Sequence, residues 1–243
     1  MRVLERKIGQ IVDENYIYAR ALHYLGVDFL DYQDWKLEEI CERRGIDRKR
    51  IIRSFYQFDS STRIPFEEIR SYPLELTLEY LRYAHHTYIK NHLPYISTLI
   101  NRLVDDNVHA RDLRVVFPLF VEDFINHIYE EEDELFDYIS FLIALNNDKS
   151  GSLAWKIDKF SAISLGELQA HHVDEDEMAG IREMIAEMPS ADLLSDVIKK
   201  EIQAFDREIL YHAEIENELL FPGAIEMERK IFLKLDQLRP PVD

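Results

Sequence analysis

The 243-residue chain holds a single cysteine, Cys41. One thiol cannot close a disulfide within the chain, and it cannot build a thiolate zinc or iron–sulfur site. Helix breakers are scarce as well, with 7 Gly and 8 Pro, and β-branched runs are few. No apolar run reaches the ~18 residues needed to span a bilayer. The opening "MRVLERKIGQIVDEN" has no apolar core of the kind a secretory signal carries, so the cytoplasm is the expected compartment. Positive charge is in deficit: 29 Lys and Arg face 47 Asp and Glu, for a net charge of −18. Such a surface repels phosphate backbones and anionic headgroups, which argues against nucleic-acid and membrane partners. What is present is 47% hydrophobic residues, enough for a core, spaced mostly at a 3.6-residue period. That pattern predicts an all-α protein.

Residues 1–57 read as a small helical domain. "IGQIVDENYIYARALHYLG" is amphipathic and closes at Gly26, and "DWKLEEICERRG" closes at Gly45; glycine suits the position just past a helix end. Asp34 and Asp47 are candidate N-caps. Cys41 is spaced as a core residue beside Leu37 and Ile40. Residues 58–73, with Ser, Thr and two Pro, read as a linker. Four long amphipathic segments follow at about 74–104, 111–146, 160–187 and 191–237. Short breaks between long helices predict antiparallel neighbours, hence a four-helix bundle over 74–237. Residues 238–243 form a tail.

The bundle seams carry polar groups. The second segment runs Leu113, Phe117, Phe120, Phe124, His127, Glu131, Tyr138 at three-and-four spacing. The fourth runs Phe205, Ile209, His212, Glu216, Leu219. On the third, His171 lies in phase with Leu168, Glu175, Met178, Ile181 and Ile185. Its neighbour His172 lies in phase with polar residues, so His171 is the inward one. On the first, periodicity leaves two seams open: His85 with Leu78, Leu81, Tyr88 and His92, or His86 with Tyr83, Ile89, Leu93 and Ile100.

A lone seam histidine is ordinarily a core residue with its hydrogen bonds satisfied, and His with an acid four residues on arises by chance in so acidic a chain. Position carries the argument instead. A buried carboxylate costs several kcal/mol unless it is paired or bound to a metal. Imidazoles and carboxylates sent inward from several helices are how bundles build dinuclear metal sites. Mixed N/O donors suit iron or manganese, and zinc is compatible.

The segments "HHTYIKNHLP", "HIYEEEDELF" and "HAEIENELLFPGAI" resemble the hemerythrin-like di-iron proteins of the iron–sulfur cluster repair type. That family carries a lone His on the first helix, H-x-x-x-E on the second, a lone His on the third and H-x-x-x-E before "LFP" on the fourth. The N-terminal stretch is similar to the small domain these proteins carry before the bundle. The resemblance implies a ligand set of His86, His127, Glu131, His171, His212 and Glu216. It also implies two iron ions (Fe2+/Fe3+) with two His each, bridging Glu131 and Glu216, and an oxo or hydroxo bridge. Aligning on "AG" instead puts Asp176 in the third-helix slot. Two departures stand out. The Cys-Cys pair that usually follows "GVDF" is replaced by Leu30 and Asp31, so a thiol role is not expected. Glu175 adds a carboxylate one turn after His171, where the family has a small residue, as a third carboxylate ligand or as an acceptor fixing an imidazole.

The resemblance implies binding or reducing nitric oxide, or supplying iron to damaged iron–sulfur proteins, under nitrosative or oxidative stress; a homodimer is compatible with it. An oxygen-binding or oxygen-sensing hemerythrin is the alternative. Carriers have H-x-x-x-H on the third helix and an Asp ligand on the fourth, where this chain has Glu175 and Glu216. A third reading is a bundle that serves as a scaffold without metal.

Overall fold

The computed structural model describes residues 3–59, 63–104, 108–148, 165–167, 169 and 176–238. Among the described residues the protein is all-helical, with no β-strand; a single isolated antiparallel bridge joins Lys7 and Lys36. No helix among them is long and apolar enough to cross a membrane.

Four helices open the chain: α1 (Ile8–Glu14), α2 (Ile17–Tyr24), α3 (Leu37–Arg44) and α4 (Arg48–Asp59). Gly26 and Gly45 take φ of +74° and +65° just past α2 and α3. There the Val27 and Ile46 N–H groups donate back to the Leu22 and Cys41 carbonyls at 2.9 Å. A side chain would strain that left-handed turn, which is why glycine ends both helices. Asp47 does cap α4, accepting from the Lys49 N–H at 3.1 Å. Asp34 does not cap α3: the helix starts at Leu37 behind Lys36, where the Glu39 side chain accepts from the Lys36 N–H. Asp34 pairs with Lys7 instead, at 3.1 Å.

After the short α5 (Phe66–Ile69) come long helical runs, each interrupted once. α6 (Leu74–Thr87) passes through a π turn (Tyr88–His92) into α7 (Leu93–Ile100). α8 (Val108–Glu131) passes through a π turn (Glu132–Phe136) into α9 (Asp137–Asn147). α11 (Leu193–Ile215) passes through a π turn (Glu216–Leu220) into α12 (Phe221–Leu238). Between α9 and α11 lies α10 (Ala179–Glu187).

The chain divides into two compact units. Unit 1 gathers residues 1–63, 94–115 and 181–205; unit 2 gathers 64–93, 116–180 and 206–243. The first 63 residues therefore share a unit with parts of the long helices. That supplies apolar partners a stretch this short lacks alone. Unit 1 buries Ile8, Ile11, Leu22, Leu37, Ile40, Cys41, Ile51, Ile198, Ile202 and Phe205. The core of unit 2 includes Leu78, Leu81, Phe136, Ile139, Ile215, Leu220 and Phe221. Its buried polar residues include His85, Glu131, His212 and Glu216.

Candidate metal centre

Three helical runs of unit 2 deliver these four residues to one point. His85 comes from α6, Glu131 ends α8, His212 lies in the last turn of α11, and Glu216 opens the π turn behind it. His212 and Glu216 are four apart, so they share a helix face. One potential ligand atom from each residue lies within 4.8 Å of the other three. The separations along the cluster are short. His212 Nε2 is 2.8 Å from Glu216 Oε1, His85 Nε2 is 2.9 Å from His212 Nε2, and His85 Nε2 is 3.3 Å from Glu131 Oε2. Ligands at ~2.0–2.2 Å from one ion stand about 3 Å apart when adjacent and about 4.2 Å apart when opposite. The three short separations suit neighbouring ligands of one ion, and the quartet could hold a metal ion. Two imidazoles and two carboxylates are also a donor set that first-row metals accept.

The three π turns lie beside this point. One begins three residues after His85, one immediately after Glu131, and one at Glu216. A π turn is a wider turn closed by i→i+5 bonds; it is rare and is found disproportionately at functional sites. Here the turn Glu132–Phe136 lets consecutive carboxylates address both nitrogens of one ring. Glu131 Oε2 faces His85 Nε2, and Glu132 Oε1 lies 2.9 Å from His85 Nδ1. Phe136, at the end of the same turn, stacks on the His85 ring at 5.1 Å with planes 4° apart. Tyr88 meets the His212 ring edge-on at 5.8 Å and Phe124 at 6.2 Å. Its hydroxyl donates to the Glu208 carbonyl at 3.1 Å. Aromatic rings thus wall the cluster and keep bulk water from it.

Burial sets the electrostatics. Removal from water pushes the Glu131 carboxyl above its ordinary range, and the Glu216 charge pushes it further, while His85 and His212 pull it back. Burial alone would lower the His85 imidazolium, but the carboxylates of Glu131, Glu216 and Glu132 outweigh it and hold the ring above the usual histidine value. Without an ion, Glu131 holds its proton more tightly than a carboxylate near solvent would. A divalent cation would remove the need for that proton.

Of the residues expected from the sequence, Glu131, His212 and Glu216 are brought together. His86 is a correction: it is exposed, and His85 takes the inward place. Neighbours on a helix point ~100° apart, and His85 is the one in step with buried Leu78 and Leu81. His127 is not in the quartet. Ile128 holds the fully buried position, and His127 is half-buried with Nδ1 3.6 Å from Glu177 Oε1. His171, His172 and Glu175 lie outside the described residues. Sequence reasoning missed Glu132 altogether. The available signal was its place beside Glu131 in a run of five acids, residues 130–134, which by itself singles out none of them.

No protein-family model matches the chain, and no curated protein and no solved structure is significantly similar to it.

Proposed function

We propose that the chain is a non-haem iron protein of the hemerythrin-like, iron–sulfur cluster repair type, acting under nitrosative and oxidative stress. In this reading 74–237 form an antiparallel four-helix bundle around a dinuclear centre. The observation that carries it is the convergence of His85, His212, Glu131 and Glu216 in a buried, aromatic-walled site. A carboxylate pair buried next to imidazoles is costly unless a cation joins it, and the donor types suit iron. His85 and His212 would bind one ion. Glu131 and Glu216, each with a second oxygen, would reach towards the other, where His127 and His171 would supply the imidazoles. When bound, the iron pair supplies redox chemistry and coordination positions open to a diatomic ligand such as nitric oxide. The residues around it orient the ligands, exclude water and compensate charge.

The test is anaerobic metal quantitation on protein purified without a nickel-affinity tag, joined to ultraviolet–visible spectra before and after nitric oxide. Two irons per chain and a spectrum that changes with nitric oxide are expected. A purified chain that retains no iron and takes up none anaerobically would overturn the reading. A spectrum that responds reversibly to oxygen and not to nitric oxide would move the function to oxygen binding.

A further inference from the structure

We propose that Glu132 is a positioning residue for this metal centre: its carboxylate fixes which nitrogen of His85 is offered to the ion. The inference rests on the metal reading above and adds a residue to it. A neutral imidazole has one N–H and one lone pair, and only the lone pair can bind a metal. His85 Nε2 points at the cluster, within 3.3 Å of Glu131 and 2.9 Å of His212. Its Nδ1 lies 2.9 Å from Glu132 Oε1. An ionised carboxylate only accepts hydrogen bonds, so Nδ1 must donate, and when the ring gives up its other proton the lone pair falls on Nε2. Glu132 is one-third exposed and lies on the rim of the cluster, which suits an outer support better than a ligand.

The same π turn also fixes the plane of the ring. Phe136 lies flat against His85, and the Arg82 guanidinium carbon sits 6.0 Å from the Phe136 ring centre. Arg82 is held in turn by the Ser140 hydroxyl at 3.0 Å. His85 is therefore clamped at Nδ1 and across one face. His212 differs: its Nδ1 is buried and makes no hydrogen bond among the described residues. The two imidazoles are unequal ligands. The His85 ring is oriented before any ion arrives, whereas no hydrogen bond among the described residues fixes the ring of His212 at its outer nitrogen. Carboxylate support of a metal-bound histidine also raises its donor strength.

The experiment measures Zn2+ affinity by chelator competition in wild type, Glu132→Ala, Glu132→Gln and, as control, Glu134→Ala. It is joined to 15N NMR of the histidine rings in the Zn2+-loaded protein. Glu134 is exposed in the same turn, so its variant reports loss of a nearby negative charge alone. Glu132→Ala is expected to weaken Zn2+ binding about ten- to a hundredfold. Glu132→Gln, which still offers Nδ1 an acceptor oxygen, should restore most of that, and Glu134→Ala should stay near wild type. In wild type the His85 signals should show a protonated Nδ1 and a metal-bound Nε2. Equal affinities in Glu132→Ala and Glu134→Ala, or a His85 bound through Nδ1, would overturn the role of Glu132 and leave the metal site standing. A wild-type chain that binds neither Zn2+ nor iron would remove the metal reading itself.

Discussion

Each of the two units buries carboxylates, and each treats them differently. In unit 1, Glu201 is fully buried, and the Arg20 guanidinium grips one of its oxygens through both Nε, at 3.1 Å, and an Nη nitrogen. The Arg20 guanidinium also lies 5.9 Å from the centre of the Tyr95 ring. In unit 2, the charges acting on buried Glu131 include those of Glu216, His85 and His212. A guanidinium stays charged at every physiological pH, so Glu201 has a permanent counter-ion. Imidazoles are charged only when protonated, so these partners of Glu131 are conditional. Burial of an acid therefore says little about function; the kind of partner it is given separates a structural pair from a centre that can exchange protons for metal.

The largest effect expected is at Arg20. Replacing it by Met removes the counter-ion that the described residues give buried Glu201, which should cost about 3–5 kcal/mol in chemical denaturation. The double variant Arg20→Met/Glu201→Leu should recover most of that loss. Metal content should not move in either. A cost below about 1 kcal/mol for Arg20→Met would show that the pair is not what holds the buried acid.

Next comes Glu131→Gln, which keeps volume and removes charge. Metal affinity should fall at least tenfold, while the metal-free protein melts at an unchanged or higher temperature, because an uncompensated buried carboxylate is itself unfavourable. If Glu131→Gln destabilises the apoprotein as much as Arg20→Met does, the contrast between the two sites collapses.

The pH response sharpens the same contrast. His85 is raised in the folded state above its ordinary 6.5, so its contribution is fully present below pH 6.5 and is lost as pH rises through the folded value. Glu131 is also raised, above 4.5, so the folded chain holds that proton longer and loses stability as pH climbs past 4.5. Both signs agree: the metal-free protein should weaken from mild acid towards pH 8. Metal affinity should rise over the same range, since the ligands must shed protons to bind. Denaturation midpoints at several pH values, with and without Zn2+, would reveal the opposed slopes. Parallel slopes would mean that the cluster does not govern the response.

The most discriminating contrast sets His85 against its neighbour, where the effect expected at His86 is nil. His85→Ala should abolish high-affinity binding, and His86→Ala should change neither affinity nor melting temperature, as read by the same chelator titration. The reverse pattern would show that the inward neighbour has been misassigned.

That last pair also shows what sequence could and could not convey. All-helical content, the glycine stops at Gly26 and Gly45, and the inward His212/Glu216 pair are legible in the sequence, because each depends on residues close together along the chain. The His85/His86 choice does not. Buried positions run Leu78, Leu81, His85, Tyr88, His92 up to the π turn and Leu93, Ile96, Ile100 after it. The turn inserts a residue, so the two competing seams seen in the sequence are the two halves of one interrupted helix. Leu93 and Ile100 are buried as the second seam expects, but that phase does not extend back to His86. Ile128 displaces His127 from the deepest position on α8 for a reason the residue pattern does not contain. Glu132 was hidden because its role depends on a ring from another helix.

Counted as inheritance, each π turn is a surplus letter in a word spelled at 3.6 letters per turn. Removing one residue from Glu132–Phe136, for instance Asp133, would heal the helix and rotate everything downstream by ~100°. Tyr138, Ile139 and Leu142, all now buried, would be swung off the core. Single-residue deletions there should be far more damaging than substitutions at the same exposed positions. Any lineage that kept the cluster would have to keep the surplus residues as well, even while the letters themselves drifted.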